Sequence, residues 1–232
     1  MRRLVLFDID ETMVSSDGAG RRALEAAMSA VLKRPISSEG HSLSGKTDPQ
    51  ICREILIPYG YSDEAISEKL EAIYETYVPL LEEEVRAARE FRIHQGVVEL
   101  LDRLKEMPEA YLGLLTGNIE RGARIKLKPF DLNRYFSFGA FGSDSHNRME
   151  LPEVAHKRAA SLFKQSFDIP EIVIIGDARN DVLCAQGYGA RSVAVCTGKT
   201  PKQTLVDLKP DYLFDNLADT NTVMDAIFAS KI

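Results

Sequence analysis

Residues 4–16 read LVLFDIDETMVSS, and the fold turns on how their apolar half meets their acidic half. Four apolar residues, Leu4 to Phe7, run straight into Asp8, Asp10 and Glu11. A short apolar run closed by polar residues has the form of a buried strand. The acidic end is harder to explain, because Asp is a poor strand former and like charges held close repel. One reading is a strand entering an acidic turn, and the other is a cation site. The rest of the chain discriminates between them.

Downstream of Ser15 the pattern becomes helical. Leu24, Ala27, Met28, Val31 and Leu32 share one helix face, and Pro35 ends that helix. The loop SSEGHSLSGKTD at 37–48 is rich in Ser and Gly, and Asp48-Pro49 reads as a helix cap followed by a first helical position. Asp63 can open a long helix whose face carries Ile66, Leu70, Ile73, Tyr74 and Tyr77. After FRIHQG at 91–96 and an amphipathic helix carrying Val97, Leu101 and Leu104, strand patterns return: AYLGLLTGN at 110–118, IVIIGDARND at 172–181, SVAVCTG at 192–198 and DYLF at 211–214. Helical stretches separate them, one of them carrying Ala155, Ala159, Leu162 and Phe163. Alternating strands and helices imply a parallel sheet covered on both faces. The expected fold is therefore α/β, a doubly wound parallel sheet formed by residues 1–14 and 91–232, interrupted after its first strand by an all-helical insertion at 15–90.

Composition narrows the function. At 232 residues, 44% hydrophobic and 28% charged, the chain is long enough for one large domain or two unequal ones and suits a sizeable core. A formal net charge of −6 disfavours nucleic acid as a partner. It leaves room for a small anionic substrate in a locally positive pocket. Cys52, Cys184 and Cys196 have neither metal-finger nor redox spacing, so a reducing, cytoplasmic location is expected. The apolar stretch before Asp8 is too short for a secretory signal, and no segment approaches a membrane span.

Three apolar runs end in polar residues suited to chemistry. The first offers Asp8, Asp10 and Thr12, the second Thr116, Gly117 and Asn118, the third Asp177 and Asp181. Ligands of open parallel sheets bind beyond the C-terminal ends of the strands, so neighbouring strands would bring the three groups together. Carboxylates crowded there repel unless a hard cation shares them, and Mg²⁺ prefers oxygen ligands. The same cation would neutralise a phosphoryl group.

The patterns DxDxT (Asp8, Asp10, Thr12), a strand ending in Thr before Gly-Asn, and GDxxxD (Gly176 to Asp181) resemble the haloacid dehalogenase superfamily of phosphohydrolases in order and spacing. The resemblance spans nearly the whole chain. The helical insertion looks like that superfamily's small helical cap, and SGKTD at 44–48 followed by a helix is similar to the cap of phosphoglycolate-phosphatase-like members. It implies Asp8 as nucleophile forming an aspartyl-phosphate, and Asp10 as the acid and then base for the leaving oxygen and water. Asp8, the backbone carbonyl of Asp10 and Asp177 would hold Mg²⁺, with Asp181 in support. Thr116, Gly117 and Asn118 would bind phosphoryl oxygens. The family's further cation, usually a Lys-Pro before the helix preceding GDxxxD, is replaced here by SHNRMELPEVAHKRAA at 145–160. Arg148 in the loop is the first choice and Lys157 in the helix the alternative. In the cap, Lys46 and Thr47 would set specificity, although Lys46 also reads as a solvated loop lysine. The implied function is a Mg²⁺-dependent phosphomonoesterase acting on a small soluble metabolite, as a monomer or homodimer. A sugar phosphate mutase, a dehalogenase and a non-catalytic phospho-ligand-binding protein are the competing readings.

Two motifs imitate nucleotide sites. GAGRRA at 18–23 opens a helix some way past its strand, and GHSLSGKT at 40–47 matches a phosphate-loop spacing but follows RPISSE, which is no strand. Thr12 reads as a hydroxyl that stabilises a turn. His41, His94, His146 and His156 are scattered and form no ligand set.

Overall fold

A computed structural model describes residues 2–230; positions 1, 231 and 232, at the outer ends of the expected sheet segments, lie outside the described residues. Strand β1 (Arg3–Phe7) is followed by a tight turn and the two-residue β2 (Val14–Ser15). Helices α1 (Ala19–Leu32), α2 (Asp48–Leu56) and α3 (Asp63–Ala87) come next. The chain returns through β3 (Arg92–Ile93), α4 (Val97–Glu106), β4 (Ala110–Leu115), α5 (Glu120–Leu127) and β5 (Gly139–Ala140). It finishes with α6 (Leu151–Phe163), β6 (Ile172–Gly176), α7 (Arg179–Tyr188), β7 (Arg191–Val195), α8 (Lys202–Asp207), β8 (Tyr212–Phe214) and α9 (Thr220–Phe228).

Six strands form one parallel sheet in the order β5-β4-β1-β6-β7-β8. The fold is the expected α/β one. All five residues of β1 are buried because this strand is central and both its faces are covered. Alternation divides it cleanly. Leu4 and Leu6 join the core formed with Ala155, Ala159 and Ile174, whereas Val5 and Phe7 join the opposite core with Leu101, Leu114 and Met224. The edge strands are short, β5 with two residues and β8 with three, which limits exposed pairing edges.

The chain leaves β1 to build β4 and β5 on one side and β6, β7 and β8 on the other, so the order reverses at β1. A crevice opens at such a reversal. Phe7 pairs with Leu114 on one side and Ile175 on the other, which brings Asp8, Thr116 and Asp177 to one edge of the sheet.

Between β2 and β3 the chain is helical, and these two short strands pair antiparallel where it leaves and re-enters. Helices α1, α2 and α3 share their own apolar cluster, including Leu24, Met28, Ile55, Ile73 and Tyr77, and Ile119 and Ile125 of the α5 region join it. Helix α1 stops at Leu32, with Lys33 in the left-handed conformation, two residues before Pro35. Thr47, not Asp48, caps α2: its hydroxyl accepts from the Gln50 amide, and Asp48 is the first helical residue. Ser62 likewise caps α3 ahead of Asp63. The three cysteines are unpaired, Cys52 and Cys184 being buried as small hydrophobes. No helix among the described residues is long and apolar enough to cross a membrane.

Gly96 opens α4 at φ 81°, and a Cβ there would collide with the Leu217 carbonyl. Gly96→Ala therefore combines left-handed strain with backbone overpacking and should cost at least about 2 kcal/mol. Urea unfolding with an unchanged m-value is the measurement.

Candidate active site

The end of β1 delivers Asp8 and Asp10 into a cavity of about 260 Å³ whose walls also include Thr116, Gly117, Asn118, Arg148 and Asp177. Asp8 continues the strand, its amide donating to the Ile175 carbonyl at 3.0 Å. The chain then turns sharply, with Glu11 at φ 58°. Thr12 is buried, and its hydroxyl spans the strand tips to donate to Asp177 Oδ1 at 3.0 Å. The expectation that this hydroxyl serves only its own turn is corrected by that bond.

Asp8, Asp177 and Asp181 are all buried, and each offers a carboxylate oxygen within 4.8 Å of the others. Arg148 lies against them, with Nη2 at 3.1 Å from Asp8 Oδ1 and in contact with Asp181 Oδ1. Its Nε is buried without a hydrogen-bond partner among the described residues. Lys157, the alternative cation, is exposed and pairs with Glu153 at 2.6 Å. Asp181 has a second attachment, because its Oδ2 accepts from the Ala178 amide at 2.8 Å at the start of α7. Glycine permits the crowding: a Cβ at Gly198 would overlap Asp177, and one at Gly176 would overlap Asp181.

Charge balance is the main feature of this cluster. Burial, opposed by Arg148 and reinforced by Asp181 and Asp10, pushes the Asp8 carboxyl up to about 7. Burial, then Asp181 and Asp8, hold Asp177 well above the usual carboxylate range. Three buried carboxylates against one guanidinium are a donor set that suits a hard divalent cation with oxygen ligands. The carboxylate of Asp10 is not part of the triad.

Asp10 has its own partners. Lys126 Nζ donates to Asp10 Oδ1 at 2.8 Å and to Oδ2 at 2.7 Å, and to Asn118 Oδ1 at 2.6 Å. Asn118 Nδ2 donates to Asp10 Oδ2 and to Thr116 Oγ1, each at 2.8 Å. Ser16 adds a bond of 3.3 Å to Asp10 Oδ1. Burial favours the neutral acid, but Lys126, followed by Asn118 and Ser16, outweighs it and holds Asp10 below its ordinary value. Sequence reading missed Lys126. The available signal was a lysine on the apolar stripe Ile119, Gly122, Ala123 and Lys126 of the α5 region, all buried.

The 40–48 loop closes one side of the cavity and packs backbone to backbone on the β4 tip. The Asp48 amide donates to the Gly117 carbonyl at 2.7 Å, Asn180 Nδ2 donates to the Gly45 carbonyl at 2.8 Å, and a Cβ at Gly117 would collide with the Lys46 carbonyl. The element ahead of this loop is helix α1 rather than a strand, so its phosphate-loop spacing has no phosphate-loop context. Lys46 lines the cavity but pairs with Glu54. Thr47 does not line it. Its hydroxyl donates to the His146 carbonyl at 2.7 Å while capping α2, which corrects the expectation of a substrate contact. Asp48 is a second missed residue. Its Oδ2 accepts from the Ile119 amide at 2.8 Å at the start of α5, and burial pushes its carboxyl up to about 6 despite Lys126 nearby.

A family model described as haloacid dehalogenase-like hydrolase matches residues 5–195. Phosphoglycolate phosphatase 1 of Pseudomonas aeruginosa is 29% identical over 221 residues, covering 94% of this chain and 78% of that protein. Pyrophosphatase PpaX of Bacillus mycoides is 24% identical over 233 residues, covering 96% of this chain and 97% of that one. The crystal structure of a hydrolase from Pseudomonas syringae superposes with a TM-score of 0.73 at 22% identity, covering 99% of this chain and all of that one.

Asp48 provides a pH test of how the loop is docked. Its carboxyl titrates near 6 in the folded protein against an ordinary value of 3.8, so folding is favoured below the lower value and loses that advantage as pH rises through 6. The span corresponds to about 3 kcal/mol at most. Asp48→Asn removes the titration. The stability of wild type minus variant, from urea unfolding, should fall by about 2–3 kcal/mol between pH 4 and pH 7.5.

Proposed function

The chain belongs to the haloacid dehalogenase-like hydrolase family, as a phosphoglycolate-phosphatase-like member, and we propose that it is a Mg²⁺-dependent phosphomonoesterase that works through an aspartyl-phosphate on Asp8. The observation that carries this reading is the meeting, at one sheet edge, of the Asp8 carboxylate, held by Arg148, with a second carboxylate, Asp10, held by different partners. Residues 15–90 act as a helical cap over a core built from the described parts of 1–14 and 91–232, with β2 and β3 as the paired crossings. The cavity of about 260 Å³ suits a small phosphorylated metabolite rather than a polymer.

In this reading an Asp8 carboxylate oxygen attacks phosphorus while the bond from phosphorus to the ester oxygen breaks. Asp10 gives the departing oxygen a proton, then takes one from the water that attacks the aspartyl-phosphate, and inorganic phosphate leaves with Asp8 restored. Thr116, the backbone at Gly117 and the unpartnered Nε of Arg148 bind phosphoryl oxygens. Asn118, expected among the phosphoryl ligands, instead gives its side-chain amide to Asp10 and Thr116 and holds them to one another. Asp8, the Asp10 carbonyl and Asp177 are the ligands for Mg²⁺, with Asp181 in support. When bound, the ion offsets the carboxylate charge and the charge that gathers on the phosphoryl group. Leu24, Ile51 and Tyr77 of the cap bound the space for the leaving group, with Lys46 of the cap and Lys199 of the core also lining it.

Two measurements test the reading. With Mg²⁺ the protein should release phosphate from small monoesters, phosphoglycolate among them, and Asp8→Asn should lower the rate on the order of 10³-fold or more. No turnover across a panel of small phosphate esters would sink the proposal. In calorimetry, Mg²⁺ binding should release protons and tighten from pH 5.5 to pH 8, because Asp8, near 7 without metal, must ionise to become a ligand. Asp177→Asn should abolish that heat.

A further inference from the structure

We infer that Lys126 is a positioning residue for the leaving-group step, fixing the Asp10 carboxylate through both oxygens beneath a glycine that exists to make room for it. The inference rests on the phosphatase reading above and assigns a role to a residue that reading does not use.

The geometry limits what Lys126 can do. Its side chain is only 5% exposed, and an ammonium that deep is tolerated only when paired. An ammonium has three protons to donate. Lys126 has three acceptors, the two oxygens of Asp10 and Asn118 Oδ1. No donor remains for a phosphoryl oxygen, so Lys126 is no substitute for Arg148. Its contacts instead close a loop of hydrogen bonds, from Lys126 to Asp10 and Asn118, and from Asn118 to Asp10 and Thr116. Arg148 holds Asp8, and Lys126 holds Asp10. The two carboxylates thus have separate cations from separate elements, Arg148 just ahead of α6 and Lys126 on α5.

Gly20 supplies an independent observation. It lies in the first turn of α1, outside the left-handed region, so the backbone does not require glycine there. Alanine would be the better helix former. A Cβ at position 20 would lie 2.9 Å from Lys126 Nζ and 3.3 Å from its Cε. The missing side chain is the space the ammonium occupies. Lys126 therefore sits where α1 meets the core, and Asp10 lines the cavity directly beside it.

The test is a series of monoesters whose leaving groups range from p-nitrophenol, which departs without a proton, to simple alcohols, which need one. Wild type, Lys126→Met and Gly20→Ala are assayed with Mg²⁺. Lys126→Met should lose about 10²-fold in kcat/KM on alkyl esters, at the lower end of what general-acid help supplies, and under about 5-fold on p-nitrophenyl phosphate, because kcat/KM reports the leaving-group step and not the later attack of water, which all esters share. The dependence of kcat/KM on leaving-group basicity should therefore steepen. Gly20→Ala, which pushes the ammonium aside without deleting it, should steepen the same dependence to a smaller extent. Equal losses across the series, or none, overturn the assignment, since a lysine that only supports the fold or binds phosphate slows every ester alike. If Lys126→Met does not fold, Gly20→Ala decides by the same criterion. A wild-type protein inactive on the whole series overturns the phosphatase reading and this one with it, whereas an active wild type with parallel losses overturns this one alone.

Discussion

Burying Asp8, Asp177 and Asp181 beside one another, with Arg148 as their only close cation among the described residues, is the constraint around which the rest of this structure is arranged. Desolvated carboxylates repel strongly and favour the neutral form. The chain meets part of this cost with attachments drawn from separate elements. Asp181 takes both the Arg148 guanidinium and the Ala178 amide, and Asp177 takes the Thr12 hydroxyl from across the sheet. What these bonds leave uncompensated is negative charge, which suits a divalent cation with oxygen ligands. The parallel sheet supplies the rigidity, since its central strand is buried on both faces and cannot relax to let the carboxylates separate.

The same economy governs how the helical segment meets the sheet tips. At the 40–48 loop, side chains are largely withdrawn from the contact so that backbones can touch. Gly45, Gly117 and Gly142 lack the atoms that would clash, and the Gly117 carbonyl is taken by the Asp48 amide. Asp48 then reaches past this contact to the first amide of the α5 region, a position where a carboxylate suits the helix dipole even as burial opposes its charge. Loop and sheet edge are therefore registered to one another by main-chain bonds. The cavity between them keeps one polar wall, from the strand ends, and one mixed wall bearing Leu24, Ile51 and Tyr77.

How much of this was legible depends on whether a residue announces itself by breaking a pattern. β1, β4, β6 and β7 stand out because apolar runs end abruptly in Asp, Thr or Gly, and Asp8, Thr116 and Asp177 come with them. β5 does not, because Gly139-Ala140 is a two-residue edge strand with no run of its own. Asp48 was readable only as a helix cap, since Asp-Pro has that form locally; Thr47 won the position because the Ile119 amide, distant in sequence, needed the carboxylate. Lys126 breaks the apolar stripe of a helix rather than the end of a strand. Its partner is 116 positions away, so no local spacing links the two. For Asp48 and Lys126 the deciding bond is long-range, and the local pattern was satisfied equally well without it.

The most informative arrangement is the separation of the two carboxylates of the DxD pair. Two positions apart on an extended segment they should influence each other strongly, yet their environments differ in sign. Asp8 lies among carboxylates with one cation and is pushed up, whereas Asp10 lies among donors, Lys126 first, and is held down. Carboxylates whose surroundings drive their proton affinities apart are the pattern by which one site divides covalent from acid–base work. Under the proposed mechanism that division runs against the final roles, since Asp8, the proposed nucleophile, holds protons better than Asp10, the proposed acid. A cation held by Asp8, Asp177 and Asp181 would reverse the first tendency, because ligation requires Asp8 ionised. A phosphoryl dianion brought against Arg148 adds negative charge beside Asp10 and favours its protonated form. On the proposed roles, metal and substrate together would invert this order of proton affinities, with Lys126 holding Asp10 in place.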